Sequence, residues 1–204
     1  IIDVANATGV NGILLNGTVD VTIGGNVYSF NVTDSVGSKE VSDILSAGKY
    51  DVDASLVVPN YNIMSSNTTF VVNNANTVVS VSIEDTVYGD VAVVNGSVAG
   101  VDGYSIPSGN VTLFVNGVEN VTVLVKDGKF SAGLCDLAVG VYNISVVYNG
   151  DGNYLSSNVS ANLTVLNATG SFNIVVEDIV YGDGFIINVT DAVGVNGALL
   201  NGVV

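Results

Sequence analysis

The sequence predicts an all-β chain built of tandem β-sandwich repeats of about 90 residues, and three observations lead there. The chain repeats itself at a fixed spacing. Its apolar residues are mostly Val and Ile, joined by Thr and Tyr, and they alternate with polar residues in short runs. It has 24 glycines, eleven of them in Asn-Gly and Asp-Gly pairs, which suit the two-residue turns that need positive φ.

The repeat is visible in ordered landmarks. Gly9-Val10-Asn11-Gly12 returns as Gly194-Val195-Asn196-Gly197, a shift of 185 residues, with a looser copy between them at Gly100-Val101-Asp102-Gly103. Glu84-Asp85-Thr86-Val87-Tyr88-Gly89-Asp90 matches Glu177-Asp178-Ile179-Val180-Tyr181-Gly182-Asp183 at a shift of 93. Ala47-Gly48-Lys49-Tyr50 matches Val139-Gly140-Val141-Tyr142 at a shift of 92, and Tyr61 matches Tyr154. This divides the chain into the later part of a first unit (1–73), a complete unit (76–166) and the early part of a third (169–204). The expected linkers, Asn73-Asn74-Ala75-Asn76 and Asn167-Ala168-Thr169-Gly170, are short, which restricts the angle between neighbours. The two partial units overlap in content by about nineteen residues, so a segment of a longer array explains them better than a tail that completes another chain's head.

Within the complete unit, alternation and turn residues predict strands over 79–83, 91–98, 110–115, 120–125, 129–134, 141–148 and 159–166. Asn116-Gly117 closes the third onto the fourth, Lys126-Asp127-Gly128 the fourth onto the fifth, and Asn149-Gly150-Asp151-Gly152 ends the sixth. Seven strands in about 88 residues are the pattern of an immunoglobulin-like sandwich. Tyr142, just after a glycine at the start of the sixth strand, is placed to form a tyrosine corner, its hydroxyl bonded back to the preceding loop. Helical periodicity is limited to 39–47, room for one turn between Gly37 and Gly48. Tyr88 and Tyr181 are expected to pack at the junctions between units, and Cys135 to be buried as a small apolar residue.

Composition removes several classes of function. The net charge is −15, and the four basic residues are Lys39, Lys49, Lys126 and Lys129, with no Arg or His. Nucleic-acid binding needs clustered cations to neutralise phosphates, and anionic lipid surfaces need the same. No run of about 18 apolar residues occurs, so this segment inserts in no membrane. Without a histidine, Cys135 has no partner to activate it, and no nucleophile and base stand together; the chain reads as a non-enzyme. An isopeptide cross-link from Lys49 or Lys129 would require a buried lysine beside a carboxylate, which the pattern does not supply.

Two constellations remain. The carboxylates Glu84, Asp85 and Asp90, repeated as Glu177, Asp178 and Asp183, gather near the start of each unit. They are candidate Ca2+ ligands that would stiffen a junction, or a solvated acidic edge that discourages strand pairing. Asp151, flanked by Asn149 and Asn153, is a further candidate ligand or a turn held by its own side chains. Asn-x-Ser/Thr triplets occur at Asn6, Asn16, Asn31, Asn67, Asn95, Asn110, Asn120, Asn143, Asn158, Asn162, Asn167 and Asn188. These are twelve, where the 25 asparagines would give roughly four by chance. They point to N-glycosylation of an exported protein, or to the alternation of polar residues along strands, which places i and i+2 on one face.

The complete unit also carries Val87-Tyr88-Gly89-Asp90, then Pro107-Ser108-Gly109-Asn110-Val111-Thr112-Leu113-Phe114-Val115-Asn116-Gly117, then Gly140-Val141-Tyr142-Asn143-Ile144. It ends in Tyr148-Asn149-Gly150-Asp151-Gly152-Asn153-Tyr154-Leu155-Ser156-Ser157. These segments resemble the prokaryotic Ig-like repeat of large surface proteins, with its Tyr-x-Gly-Asp-x-x-Tyr-x-x-Ser ending, and most closely the adhesin-like proteins of methanogenic archaea. The first unit departs from that ending, with Val58-Pro59-Asn60-Tyr61 in place of the Gly-Asp loop. The resemblance implies an extracellular, cell-surface stalk or adhesive role and carries over no catalytic residue. Expected partners are neighbouring repeats, other copies of the chain in a filament or coat, and a host or partner cell surface. Each unit would add roughly 35–45 Å of length.

Overall fold

The computed structural model describes residues 1–101, 103, 107–195 and 198–202. The looser loop copy at Asp102 and the last copy at Asn196-Gly197 lie outside the described residues. The chain separates into two compact units, Ile1–Ala75 and Asn76–Val204.

In the first unit, β1 (Ile2–Val4) is followed by a single 3₁₀ turn at Val10–Gly12. Then come β2 (Gly17–Ile23), β3 (Asn26–Val32), β4 (Gly37–Lys39), β5 (Gly48–Val57) and β6 (Ser66–Val72). A four-stranded sheet runs in the order β3-β2-β5-β6, and β1 pairs with β4 in a separate two-stranded sheet. Val19, Val21, Ile23, Tyr28 and Val32 form the buried cluster, flanked by Ile2, Val4, Val41, Leu45 and Leu56.

The second unit contains β7 (Thr77–Ile83), β8 (Thr86–Val87), β9 (Ala92–Gly100), β10 (Asn110–Val115), β11 (Val118–Leu124), β12 (Lys129–Leu134), β13 (Gly140–Tyr148) and β14 (Ser157–Leu166). A five-stranded sheet in the order β11-β10-β13-β14-β8 is covered by a three-stranded sheet in the order β12-β9-β7. β7 packs on β14 and β13 across the core. Beyond them β15 (Ser171–Val176) and β16 (Ile187–Val193) form an antiparallel pair. The fold is an all-β, Ig-like sandwich, as the sequence predicts.

Period-two alternation builds the core. On β10, Val111 and Leu113 are inaccessible; on β13, Ile144, Val146 and Tyr148 are; on β14, Leu163 is. Facing them are Val79, Ala92, Val94, Val98, Phe130, Ala132 and Leu134. Gly96 on β9 lets the Phe130 ring lie against the strand, since a Cβ there would collide with that ring and with the Ser80 carbonyl. Asn116 and Gly117 sit at φ 51° and 83°, the mirror-image turn that matches strand twist between β10 and β11. Asp127 and Gly128, at φ 52° and 71°, turn the chain between Lys126 and Lys129 where it passes from β11 of the larger sheet to β12 of the smaller.

Three expectations change. The segment 40–46 is irregular rather than helical. It is too short to nucleate a helix, and Val41 and Leu45 pack on the first unit's core while Asp43 accepts a 2.7 Å bond from the Tyr28 hydroxyl. A two-residue strand, β8, exists that alternation cannot show at that length. Cys135 is exposed, because its neighbour Leu134 takes the inward position. Tyr181 is fully exposed and Tyr88 half exposed.

Leu113→Ala removes a side chain at the centre of the larger sheet and should lower the stability of the second unit by about 2–5 kcal/mol. Leu124→Ala, on an exposed position, should change it by less than about 0.5 kcal/mol. Urea unfolding of both variants checks the pair; equal effects would show that Leu113 is not in a close-packed core.

Candidate functional site

The Gly-Asp loop between β13 and β14 is the most connected irregular segment of the second unit. Gly150 adopts φ 82°, which lets the chain turn sharply, and Asp151 N–H donates to the Tyr154 carbonyl at 3.1 Å. The Asp151 carboxylate then accepts four bonds. Oδ1 takes the amides of Asn153 (2.8 Å) and Tyr154 (2.9 Å). Oδ2 takes the amide and hydroxyl of Ser108, both at 2.9 Å, from the loop that precedes β10. Tyr148 completes the latch by donating its hydroxyl to the Ser108 carbonyl at 2.6 Å.

The electrostatics follow from these bonds. Partial burial would raise the Asp151 carboxyl, but the hydrogen bonds from Ser108, Asn153 and Tyr154 outweigh it and hold the group below its ordinary 3.8. Burial first, and the nearby Asp151 charge second, push the Tyr148 hydroxyl up to about 12. A carboxylate whose oxygens already receive four donors is a structural anchor rather than a metal ligand.

The tyrosine corner is present. Tyr142 donates its hydroxyl to the Ala138 carbonyl at 2.9 Å. Tyr50 makes the same bond to the Ser46 carbonyl, also at 2.9 Å, at the matching place in the first unit. The first unit, lacking the Gly-Asp loop, turns instead through a Val58–Tyr61 bridge, and the Tyr61 ring lies where a Cβ on Gly9 would be, 2.7 Å from its Cε1. It adds a latch that the sequence did not announce. Ser35 is buried; its hydroxyl accepts from the Leu15 amide at 2.9 Å and donates to the Ala7 carbonyl. A serine in a polar loop carries no sequence sign that it will be buried.

Of the junction carboxylates, Asp85 is tied to the backbone. Asp85 Oδ1 accepts the Thr164 amide of β14 at 2.8 Å, and the Tyr88 amide donates to the Leu166 carbonyl at 2.9 Å. Asp85 therefore continues the β14 ladder where the chain leaves the smaller sheet as β7 and joins the larger one as β8, parallel to β14. Glu84, Asp90, Glu177, Asp178 and Asp183 are exposed. Among the described residues no three acidic, histidine or cysteine side chains are gathered as a metal ion would require.

Cys135 lies on the rim of an open cavity of about 840 Å³ with Tyr88, Asp90, Leu137, Val195 and Leu200. All twelve candidate acceptor asparagines are exposed.

Residues 78–166, which span nearly all of β7 to β14, match the family model described as Bacterial Ig-like domain (group 3). That segment is an Ig-like repeat domain. Among solved structures, fibronectin(III)-like modules of Clostridium thermocellum CbhA align at 16% identity with a TM-score of 0.39, over 78% of this chain and 83% of that one. No curated protein matches significantly.

Asp151→Ala would leave the amides of Ser108, Asn153 and Tyr154 without their acceptor, with an expected loss of about 1–3 kcal/mol at neutral pH. The folded carboxyl releases its proton more readily than the unfolded one. Its stabilisation is therefore complete above 3.8 and disappears as pH falls through the lower folded value. The difference between the native chain and Asp151→Ala should shrink steadily below about pH 4. Urea midpoints across pH 2–7 read this directly, and coincident curves would mean that the carboxylate does not hold the loop.

Proposed function

We propose that the chain is a non-enzymatic segment of an extracellular, cell-surface protein, in which tandem Ig-like units (1–73, 76–166 and 169–204) act as an adhesin-like stalk. One observation carries this reading: three polar landmarks of the complete unit, Asp85, Tyr142 and Asp151, are engaged in holding the fold. Asp85 extends a ladder, Tyr142 and its counterpart Tyr50 pin corners, and Asp151 ties two loops. What recurs is thus the scaffold, while the loop most exposed to functional selection changes from Gly-Asp to Pro-Asn between units. A repeated scaffold without a repeated site suits a protein that works by length, spacing and display. The acidic surface, with four lysines in 204 residues, supports the same reading by keeping such units apart and soluble.

The reading predicts exposure on intact cells. Proteinase K added to whole producing cells should remove the protein from a subsequent immunoblot, while a cytoplasmic marker survives. Protection until the cells are lysed would overturn the surface assignment.

A further inference from the structure

We propose that the outer face of the five-stranded sheet is a glycan-bearing face, modified at Asn120, Asn143, Asn158 and Asn162, and that Asn143 and Asn162 exclude one another. This rests on the extracellular placement proposed above.

Nine of the twelve acceptor asparagines lie in strands, on β3, β6, β9, β10, β11, β13, β14 and β16. Strand alternation accounts for a Ser or Thr two residues after a polar position, because both share the outward face. It does not account for the asparagines, since Asn is among the residues depleted in strands. Something other than the fold therefore holds asparagine at these positions.

The larger sheet concentrates them. Val121, Ile144, Val159 and Leu163 point inward, which turns Asn120, Asn143, Asn158 and Asn162 to solvent. Their hydroxyl partners Thr122, Ser145, Ser160 and Thr164 are exposed or half-buried. Asn110 on the same face stands apart: its partner Thr112 is buried and bonded to Thr122 and to the Asn149 side chain. Asn120 occupies the bulge of β11, the extra residue opposite Leu113 and Phe114, so its side chain projects from an irregular edge. Asn143 and Asn162 are direct cross-strand partners. Their Cβ atoms stand about 5 Å apart, too close for two branched sugar chains to leave the sheet side by side.

In the transfer, Nδ2 of the acceptor bonds to the anomeric carbon of a lipid-linked sugar phosphate. The anomeric C–O bond breaks, the lipid phosphate leaves with that electron pair, and the amide nitrogen gives up one proton to a base. The donor and the base belong to a separate membrane transferase.

Protein purified from its native producer, with cell fractions retained, tests the proposal. Trypsin cuts after Lys129, and residues 130–204 contain no lysine or arginine, so one fragment beginning at Phe130 carries both Asn143 and Asn162. Electron-transfer fragmentation of that fragment reads their joint occupancy, and the remaining peptides report Asn120. Sugar on at least two of the four face asparagines, with Asn143 and Asn162 never filled in the same molecule, is the expected result. Sugar on both in one molecule, or a bare face on protein recovered from the surface fraction, overturns the proposal while leaving the stalk reading intact. A bare face on protein found only in the cytoplasm overturns both.

Discussion

The side-chain period of two is the constraint on which this molecule depends. A strand that lends one face to a core must give every second residue to it, and the residues between them must meet water or another strand. Ile144 and Val146 go in while Asn143 and Ser145 go out; Leu134 goes in while Cys135 goes out. Slipping any strand by one residue would bury a row of Asn, Ser and Thr and expose a row of Val and Ile. Register is therefore held by the core, and the turns need only permit it. The turns at Asn116-Gly117 and Asp127-Gly128 supply positive φ, and Asn116 adds one bond, its side chain accepting the Asn143 amide at 2.8 Å.

Alternation leaves the ends of strands unsolved, because backbone groups there lose their ladder partners. Polar side chains at the strand ends answer that need. Asp85 accepts the Thr164 amide where β8 takes over the edge of β14, Tyr142 takes the Ala138 carbonyl, and Asp151 gathers donors from its own loop and from the loop before β10. Each is a polar side chain at or beside a strand end, and each is committed to the backbone. The first unit keeps the tyrosine corner but replaces the Asp151 latch with a ring packed on Gly9 and a buried serine. The demand at each strand end persists even though the residue that meets it changes.

This also marks how much was readable from the residues. Strands with clear alternation and a Gly-bearing turn, such as 110–115 and 129–134, emerge with the bounds that the pattern implies. The corner at Tyr142 follows from a glycine and a tyrosine in the right order. What escaped the pattern depends on tertiary partners. β8 is two residues long and exists only because β14 offers an edge. The 40–46 segment has helical spacing, but its apolar residues find the core before a helix can nucleate. Ser35 looks like any loop serine until Leu15 and Ala7 close over it. The roles of Asp85 and Asp151 were open at the sequence level, since a carboxylate beside a turn suits calcium or backbone amides equally; the bonds from Thr164 to Asp85, and from Ser108, Asn153 and Tyr154 to Asp151, show a backbone role for each.

The edges complete the picture. β11 ends the larger sheet with unpaired backbone groups, the feature through which soluble sandwiches aggregate. Here the edge is broken by a bulge at Asn120, carries Glu119 beside it, and turns through Lys126 and Asp127. The rest of that face is uncharged, so Asn, Ser and Thr rather than ion pairs keep it wetted, and the net charge of −15 acts over longer range to keep copies separate. Repulsion of that kind weakens as salt rises, because screening shortens its reach to about 8 Å at physiological ionic strength. A bulged edge and a neutral polar face do not depend on salt. The short-range protection against pairing is thus built into the strands themselves, and the charge is left to govern how closely neighbouring units crowd.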